Sequence, residues 1–291
     1  MTAAARQPVI AATDGSGGSL RAVEWAAREA VRRGGDLRIV SAAAPLPGLR
    51  PGQAVQETVT RAVDEAARRA LDEAAHRAQE IEPSLTPVAE LLDGVPSEAL
   101  LTVAHDASLL VVGSRGTGGF AAMMVGSISR YLATHAPCPV VVAREETMAV
   151  HRQVVVGVRD PGQASAAIGF AFAEAELRRA RLLAVQAIHW PLLPPGSPGP
   201  GDSQTAGLPE VPAETAERLD QAVAVWQRKY PSVAASWERV YAHPARVLAG
   251  ASARADLVVI GRRSTGAAAV GSIVHPLLSH AHGPVAVVPG C

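Results

Sequence analysis

Glycine spacing is the first chemistry this sequence offers. Gly113 is followed, after two intervening residues, by Gly116, and after nine more by Gly126-Ser127, all directly behind the apolar run Leu109-Leu110-Val111-Val112. A glycine-rich turn that leaves a buried strand and leads into a helix start is a geometry that holds phosphate. Glycine permits φ > 0 and close backbone approach, and the free N–H groups of a helix's first turn carry about half a positive charge, so an anion can be held without lysine. A Walker-type loop needs Gly-Lys-Ser/Thr, which the chain lacks; Lys229 is its one lysine. A second strand end lies upstream, where Val9-Ile10-Ala11-Ala12-Thr13 runs into Asp14-Gly15-Ser16-Gly17. The two strand ends can meet.

The elements that must position these residues alternate short β-rich runs with amphipathic helices, the pattern of a parallel sheet covered on both faces. In the first half the pattern predicts strands over 9–13, 37–42, 85–91, 109–112 and 140–143, with helices over 19–33, 54–81, 96–105 and 127–135. Ala22, Val23, Ala26, Ala27, Ala30 and Val31 form the apolar stripe of the first helix, with Arg21, Arg28 and Arg32 facing out. The second half repeats the order, with strands over 154–158, 182–187, 233–240, 257–260 and 285–288. The repeat is direct: Arg6-Gln7 recurs as Arg152-Gln153, Asp14 as Asp160 and Ser19 as Ser165, each shifted by 146, and Pro139 to Val142 recurs as Pro284 to Val288. Duplication of a whole domain follows, with domains at 1–146 and 152–291, a short polar linker over 144–151, and a Pro/Gly-dense surface loop over 191–212.

Composition narrows the function. With 27 basic and 27 acidic residues the formal net charge is zero, and no basic tract appears, which argues against nucleic acid as the partner. No charged-then-apolar leader and no apolar stretch of about eighteen residues is found, so a membrane role is not expected and a reducing cytoplasm is. Two cysteines, Cys138 and Cys291, do not make a disulfide framework, and Cys138 reads as core filling. His275, His280 and His282 lack the four matched ligands of a structural zinc site.

With these residues in place, the chain resembles a tandem universal stress protein over essentially its whole length. The family's Gly-x2-Gly-x9-Gly-Ser/Thr motif is matched by Gly113, Gly116, Gly126 and Ser127, its strand-end aspartate by Asp14, and its Gly-x-Pro segment by Gly94-Val95-Pro96. The resemblance implies an α/β fold of two tandem five-stranded parallel sheets in order 3-2-1-4-5, helices on both faces, with ATP, and Mg²⁺ as its optional companion, where strands 1 and 4 diverge. That place also follows from the rule that ligands sit at strand carboxyl ends where strand order reverses. Within this frame Asp14 would accept hydrogen bonds from base or ribose, and Val40 would offer an apolar wall and backbone groups to adenine. Val112 and Gly113 would pass close to ribose and phosphates, and Ser114, Arg115 and Gly116 would begin the phosphate loop. Gly126, Ser127 and Ile128 would supply helix N-terminal N–H groups, with Ser127 as helix cap or phosphate donor. Asp14 also has the simpler reading of a turn former after a strand.

The second half departs from the motif. Gly261 is followed by Arg262-Arg263-Ser264, and only six residues separate Ser264 from Gly271-Ser272. Asp160 aligns with Asp14 by the repeat offset, whereas the strand pattern puts Arg159 there; the two alignments differ by one residue. The expectation is ATP in the first half, and in the second either nothing or a smaller anion held by Arg262, Arg263 and Gly271-Ser272. The resemblance implies a nucleotide-binding regulator of the stress response rather than an enzyme, acting through a protein partner that the sequence does not name. The fifth strands are expected to pair within the chain, which leaves homodimerisation through other surfaces open. Two rivals stand beside it. Ser16-Gly17-Gly18-Ser19 resembles the PP-loop of ATP pyrophosphatases but does not continue into Asp-Ser, and a nucleotide-free scaffold would act through protein partners alone.

Overall fold

The computed structural model of the chain describes residues 7–43, 53–116, 125–144, 150–188, 213–262 and 273–290. Outside them lie the centre of the expected linker (145–149), the Pro/Gly loop 191–212, residues 117–124 of the phosphate loop, Arg263, Ser264, Gly271, Ser272 and Cys291. The first half runs β1 (Val9–Ala12), α1 (Gly17–Arg33), β2 (Leu37–Ala43), α2 (Gln53–Ile81), β3 (Val88–Asp93), α3 (Pro96–Val103), β4 (Leu109–Gly113), α4 (Ser127–His135) and β5 (Val140–Ala143). The second runs β6 (Gln153–Gly157), α5 (Ser165–Arg178), β7 (Arg181–Ile188), α6 (Ala213–Lys229), β8 (Ala235–Tyr241), α7 (Pro244–Ser252), β9 (Leu257–Arg262), α8 (Val274–His280) and β10 (Val285–Pro289).

The strands form one ten-stranded sheet in the order β3-β2-β1-β4-β5-β10-β9-β6-β7-β8. Every neighbouring pair is parallel except β5 and β10, which run antiparallel with Val141 opposite Ala286. Each half is therefore a doubly wound parallel sheet, and the halves join by pairing their last strands. That pairing removes two open edges, which would otherwise present unpaired backbone groups to solvent. Valine, leucine and isoleucine dominate the central strands because both faces of a parallel sheet are covered. One continuous core lies under α1, α2, α5 and α6, around Val23, Leu71, Phe172 and Leu219. The other lies under α3, α4, α7 and α8, around Leu100, Leu132, Leu248 and Leu277.

Two element starts differ from the expectation for local reasons. The third strand begins at Val88 rather than Leu85, because Leu85 N–H closes a turn onto the Glu82 carbonyl and Pro87 has no N–H to give to a ladder. Its counterpart β8 begins at Ala235, after Val233 N–H turns back onto the Tyr230 carbonyl. The α1 stripe also needs correction. Val31 is 39% exposed, and Glu29 sits fully buried on the face against α5.

The register fixes the repeat offset. Val9 pairs with Leu37 and Leu109, and Val154 pairs with Leu182 and Leu257, so Val9 corresponds to Val154 and the offset in this region is 145 rather than 146. The helix ends agree: Gly34 caps α1 at φ 58°, and Arg179 caps α5 at φ 50°. Asp14 therefore corresponds to Arg159, not to Asp160.

In the second half α5 and α6 pack at close range. A Cβ on Gly169 of α5 would run into the Trp226 ring of α6. Alanine in place of a mid-helix glycine gains about 1 kcal/mol of propensity, while overpacking costs about 1–3 kcal/mol. Gly169→Ala is expected to lower stability by about 1 kcal/mol in urea titration, the steric effect outweighing the propensity gain.

Candidate functional site

The site is built where β1 and β4 end side by side and diverge. Thr13 N–H donates to the Val40 carbonyl at 2.9 Å, the last ladder bond of β1, and the chain then turns through Gly15 at φ 77°. The turn is closed by its own side chains. Asp14 Oδ1 accepts from Ser16 N–H at 3.1 Å, Thr13 Oγ1 accepts from Gly15 N–H at 3.2 Å, and Ser19 Oγ accepts from Asp14 N–H at 3.3 Å. Ser16 caps α1 by accepting from Ser19 N–H at 3.2 Å. Thr13 and Ser19 are buried, with hydroxyls 3.1 Å apart.

The β4–α4 segment lies against this turn at backbone distance. A Cβ on Gly113 would stand 2.7 Å from the carbonyl carbon and oxygen of Gly18 and 2.9 Å from Ser19 N. A Cβ on Gly18 would stand 2.6 Å from the Arg115 carbonyl oxygen, and one on Gly116 would collide with Asp14 Oδ2. Three glycines thus let the two strand-end loops close on each other. Two further bonds aim the chain at α4: Gly126 N–H donates to the Ser114 carbonyl at 2.8 Å, and Ser129 Oγ donates to the Gly113 carbonyl at 2.6 Å.

The structure brings Asp14, Gly113, Ser114, Arg115, Gly116 and Gly126 into this one turn cluster, with Ser127 and Ile128 opening α4 beside it. Asp14, Arg115 and Gly116 are exposed, and Ser114 is buried. Helix α4 starts at Ser127 with Gly126 as its N-cap, and no side chain caps it. Ser127 is accordingly the first helical residue and not the cap, which leaves its exposed hydroxyl outward and its N–H among the first-turn donors that lack an intrahelical partner. Val40 stands apart from the cluster. Its side chain is fully buried in the α3/α4-side core and its carbonyl holds Thr13, so the part of β2 that reaches the strand ends is Ser41 to Ala43. Val112 is likewise buried in that core. Sequence reading missed Thr13, Gly18, Ser19 and Ser129; the Ser16-Gly17-Gly18-Ser19 run was the available signal for the first three, and an i, i+3 glycine–serine step before an apolar helix for the last.

Among the described residues the second domain does not repeat this closure. Gln163 corresponds to Gly18 and Arg159 to Asp14, and α5 starts only at Ser165, three residues later than the equivalent start of α1. Among the described residues a Cβ on Gly261, the counterpart of Gly113, would meet only the Ala167 Cβ, at 3.3 Å. Arg262, expected as an anion ligand, donates instead to the Ala136 carbonyl at the C-terminal end of α4, so it ties the second domain to the first. The neighbouring Cys138 is buried, and burial pushes its thiol up to about 11, in keeping with a packing role. Among the described residues no group of three or more histidine, cysteine, aspartate or glutamate side chains is placed to hold a metal ion, and no helix is long and apolar enough to cross a membrane.

A doubly wound sheet with a glycine-lined cradle at its switch point defines a Rossmann-like α/β protein, a class of fold that places its ligands at that point. The family model for universal stress proteins matches residues 5–144 and again 151–289, and the chain belongs to that family, with two of its domains in tandem. A universal stress protein of Mycobacterium tuberculosis strain H37Rv is 33% identical over 289 residues, covering 96% of this chain and 95% of that protein. A second from the same strain is 32% identical over 211 residues, 68% of each chain. Among solved structures, a universal stress protein from Archaeoglobus fulgidus DSM 4304 superposes with a TM-score of 0.73 at 15% identity, over 97% of this chain and 96% of its own. A likeness at that identity concerns the fold alone.

Proposed function

We propose that this chain is an ATP-binding universal stress protein whose working nucleotide site lies in the first domain. The observation that carries the reading is the backbone contact of Gly113 with Gly18 and Ser19. It sets the β4 loop against the α1 start and leads the chain to the donor-bearing start of α4, in a cradle with little side-chain bulk. In this reading Gly126, Ser127 and Ile128 offer N–H groups to phosphate, Arg115 adds a cation, and Asp14 holds the base or ribose side. Mg²⁺, when present, travels with the triphosphate and shields its charge. In the second domain Arg159, Gln163 and the shorter β9–α8 connection remove the same features.

Binding rather than turnover is the better fit. The hydroxyls of Thr13, Ser16 and Ser19 are engaged with one another and with backbone groups, and Asp14 Oδ1 is engaged by Ser16, so none stands ready as a nucleophile or base. In this reading nucleotide occupancy alters contacts with a regulatory protein partner in the cytoplasm. Incubation with ATP followed by product chromatography is the test. Intact ATP recovered after saturable binding is expected. Stoichiometric AMP and pyrophosphate would instead favour the PP-loop alternative, and an absence of binding would favour the scaffold.

A further inference from the structure

The second domain carries its own group of donors at the ends of β6, β7 and β8. The register places Arg159, Gln186 and Arg239 where the first domain has Asp14, Ser41 and Leu91. An acid, a hydroxyl and an apolar residue are thus replaced by two arginines and an amide. Gln186 is only 3% exposed, on the same sheet face as the core under α5 and α6, and its Oε1 accepts from Arg239 Nε at 2.9 Å. Its Nε2 points to the Arg159 carbonyl at 3.5 Å, a contact too long to use that amide fully. Arg239 Nη2 is sealed from solvent and has no hydrogen-bond partner among the described residues.

Among the described residues, two acids of the same region are already engaged. Asp160 accepts from Gly162 N–H at 3.0 Å and faces Arg218 of α6 at 3.7 Å, and Asp220 accepts from Trp237 Nε1 at 3.2 Å. A guanidinium nitrogen buried with no acceptor is costly, and an anion is the partner that relieves it best. What converges here is one buried donor without an acceptor beside an amide whose own contact is long, at the strand ends that correspond to those of the proposed first-domain site.

We propose that the second domain binds a small oxyanion, a carboxylate or phosphate group, on Arg239 Nη2 and the Gln186 amide, with the exposed Arg159 drawing the ligand in. The two domains would then sense different ligands, and this site stands whether or not the first domain binds ATP. The test uses the full chain titrated calorimetrically with sodium phosphate and, separately, sodium malonate, against sodium chloride at matched ionic strength, with the thermal midpoint followed in parallel. The expected result is saturable binding of one or both oxyanions that is at least about tenfold weaker in Arg239→Met. In Arg239→Lys, which keeps the charge and loses the planar fork, binding also weakens. The arm that saturates at the lower concentration names the group. In chloride alone Arg239→Met keeps the aliphatic stem but leaves the buried Gln186 Oε1 without its donor, so its midpoint should fall modestly, and the proposal requires that an oxyanion raise that midpoint less than it raises the parent's. No oxyanion response beyond chloride, or a response unchanged in both variants, would overturn the proposal.

Discussion

Gly113→Ala is expected to abolish ATP binding and to lower stability by about 1–3 kcal/mol, the range for atoms forced into a filled space. The added methyl would lie 2.7 Å from the carbonyl carbon and oxygen of Gly18, and these are backbone atoms that no rotamer change can move aside. Relief requires the β4–α4 segment to back away from α1. That shift also breaks the aim of Ser129 Oγ on the Gly113 carbonyl and so displaces the α4 start. Gly261→Ala is the matched control. Among the described residues its methyl meets only the Ala167 Cβ at 3.3 Å, which a few tenths of an ångström of movement relieves, so the cost should stay within about 1 kcal/mol. Chemical denaturation of the two variants side by side separates these outcomes.

Glu29→Ala should be the most damaging single change, at about 3–5 kcal/mol, because it strips the partner from buried cations. Glu29 and Glu174 are both fully buried where α1 meets α5, and each faces the same two arginines. Arg33 Nε donates to Glu29 Oε1 and Arg178 Nη2 to Glu29 Oε2, both at 2.7 Å, while Arg33 Nη2 and Arg178 Nη1 hold the two oxygens of Glu174. The arrangement is symmetric about the β5–β10 junction, even to the ring beneath each cation: Arg33 over Phe170 and Arg178 over Trp25. Alanine at 29 leaves Arg178, whose side chain is 6% exposed, with one of its two carboxylate partners.

The same ring gives the interface a pH dependence. Burial opposes ionisation of Glu29, but Arg178, Arg33 and Arg32 outweigh it and hold this carboxyl below its usual range. Burial and the charge of Glu29 push Glu174 up to about 7. Between its ordinary value near 4.5 and about 7 the native Glu174 keeps a proton that the unfolded chain has released, so its contribution is complete at the low end and is lost as pH rises through that window. Glu29 acts in the opposite sense, its contribution being lost as pH falls below the ordinary carboxylate range. The ring should therefore favour folding most near pH 5, and Glu174→Gln should flatten the fall in stability between about pH 5 and 7. Urea midpoints measured across that range in parent and variant decide it; an unchanged slope would remove Glu174 as the source.

Much of this molecule was legible in its residues. Apolar β-branched runs marked the strands because a parallel sheet buries both faces, and Gly113 and Gly116 marked where the two strand-end loops close on each other, because close backbone approach leaves no room for a Cβ. What escaped depends on tertiary placement. A one-residue slip between Arg159 and Asp160 changes nothing in local pattern, and only the pairing of Val154 with Leu182 and Leu257 resolves it. Glu29 lay on the buried side of α1, yet a lone sequence gives a buried glutamate no reason to be there until Arg178 and Glu174 arrive from the other domain. Val40 is apolar and near a strand end, and one residue of register separates a core position from a lining one.

The central claim is one nucleotide site, in the first domain. Calorimetric titration of the nucleotide-free chain with ATP, beside Gly113→Ala and Gly261→Ala, tests it most directly. The account predicts one ATP per chain, retained in Gly261→Ala and lost in Gly113→Ala. Two equal sites per chain, or binding that survives in a folded Gly113→Ala protein, would contradict it.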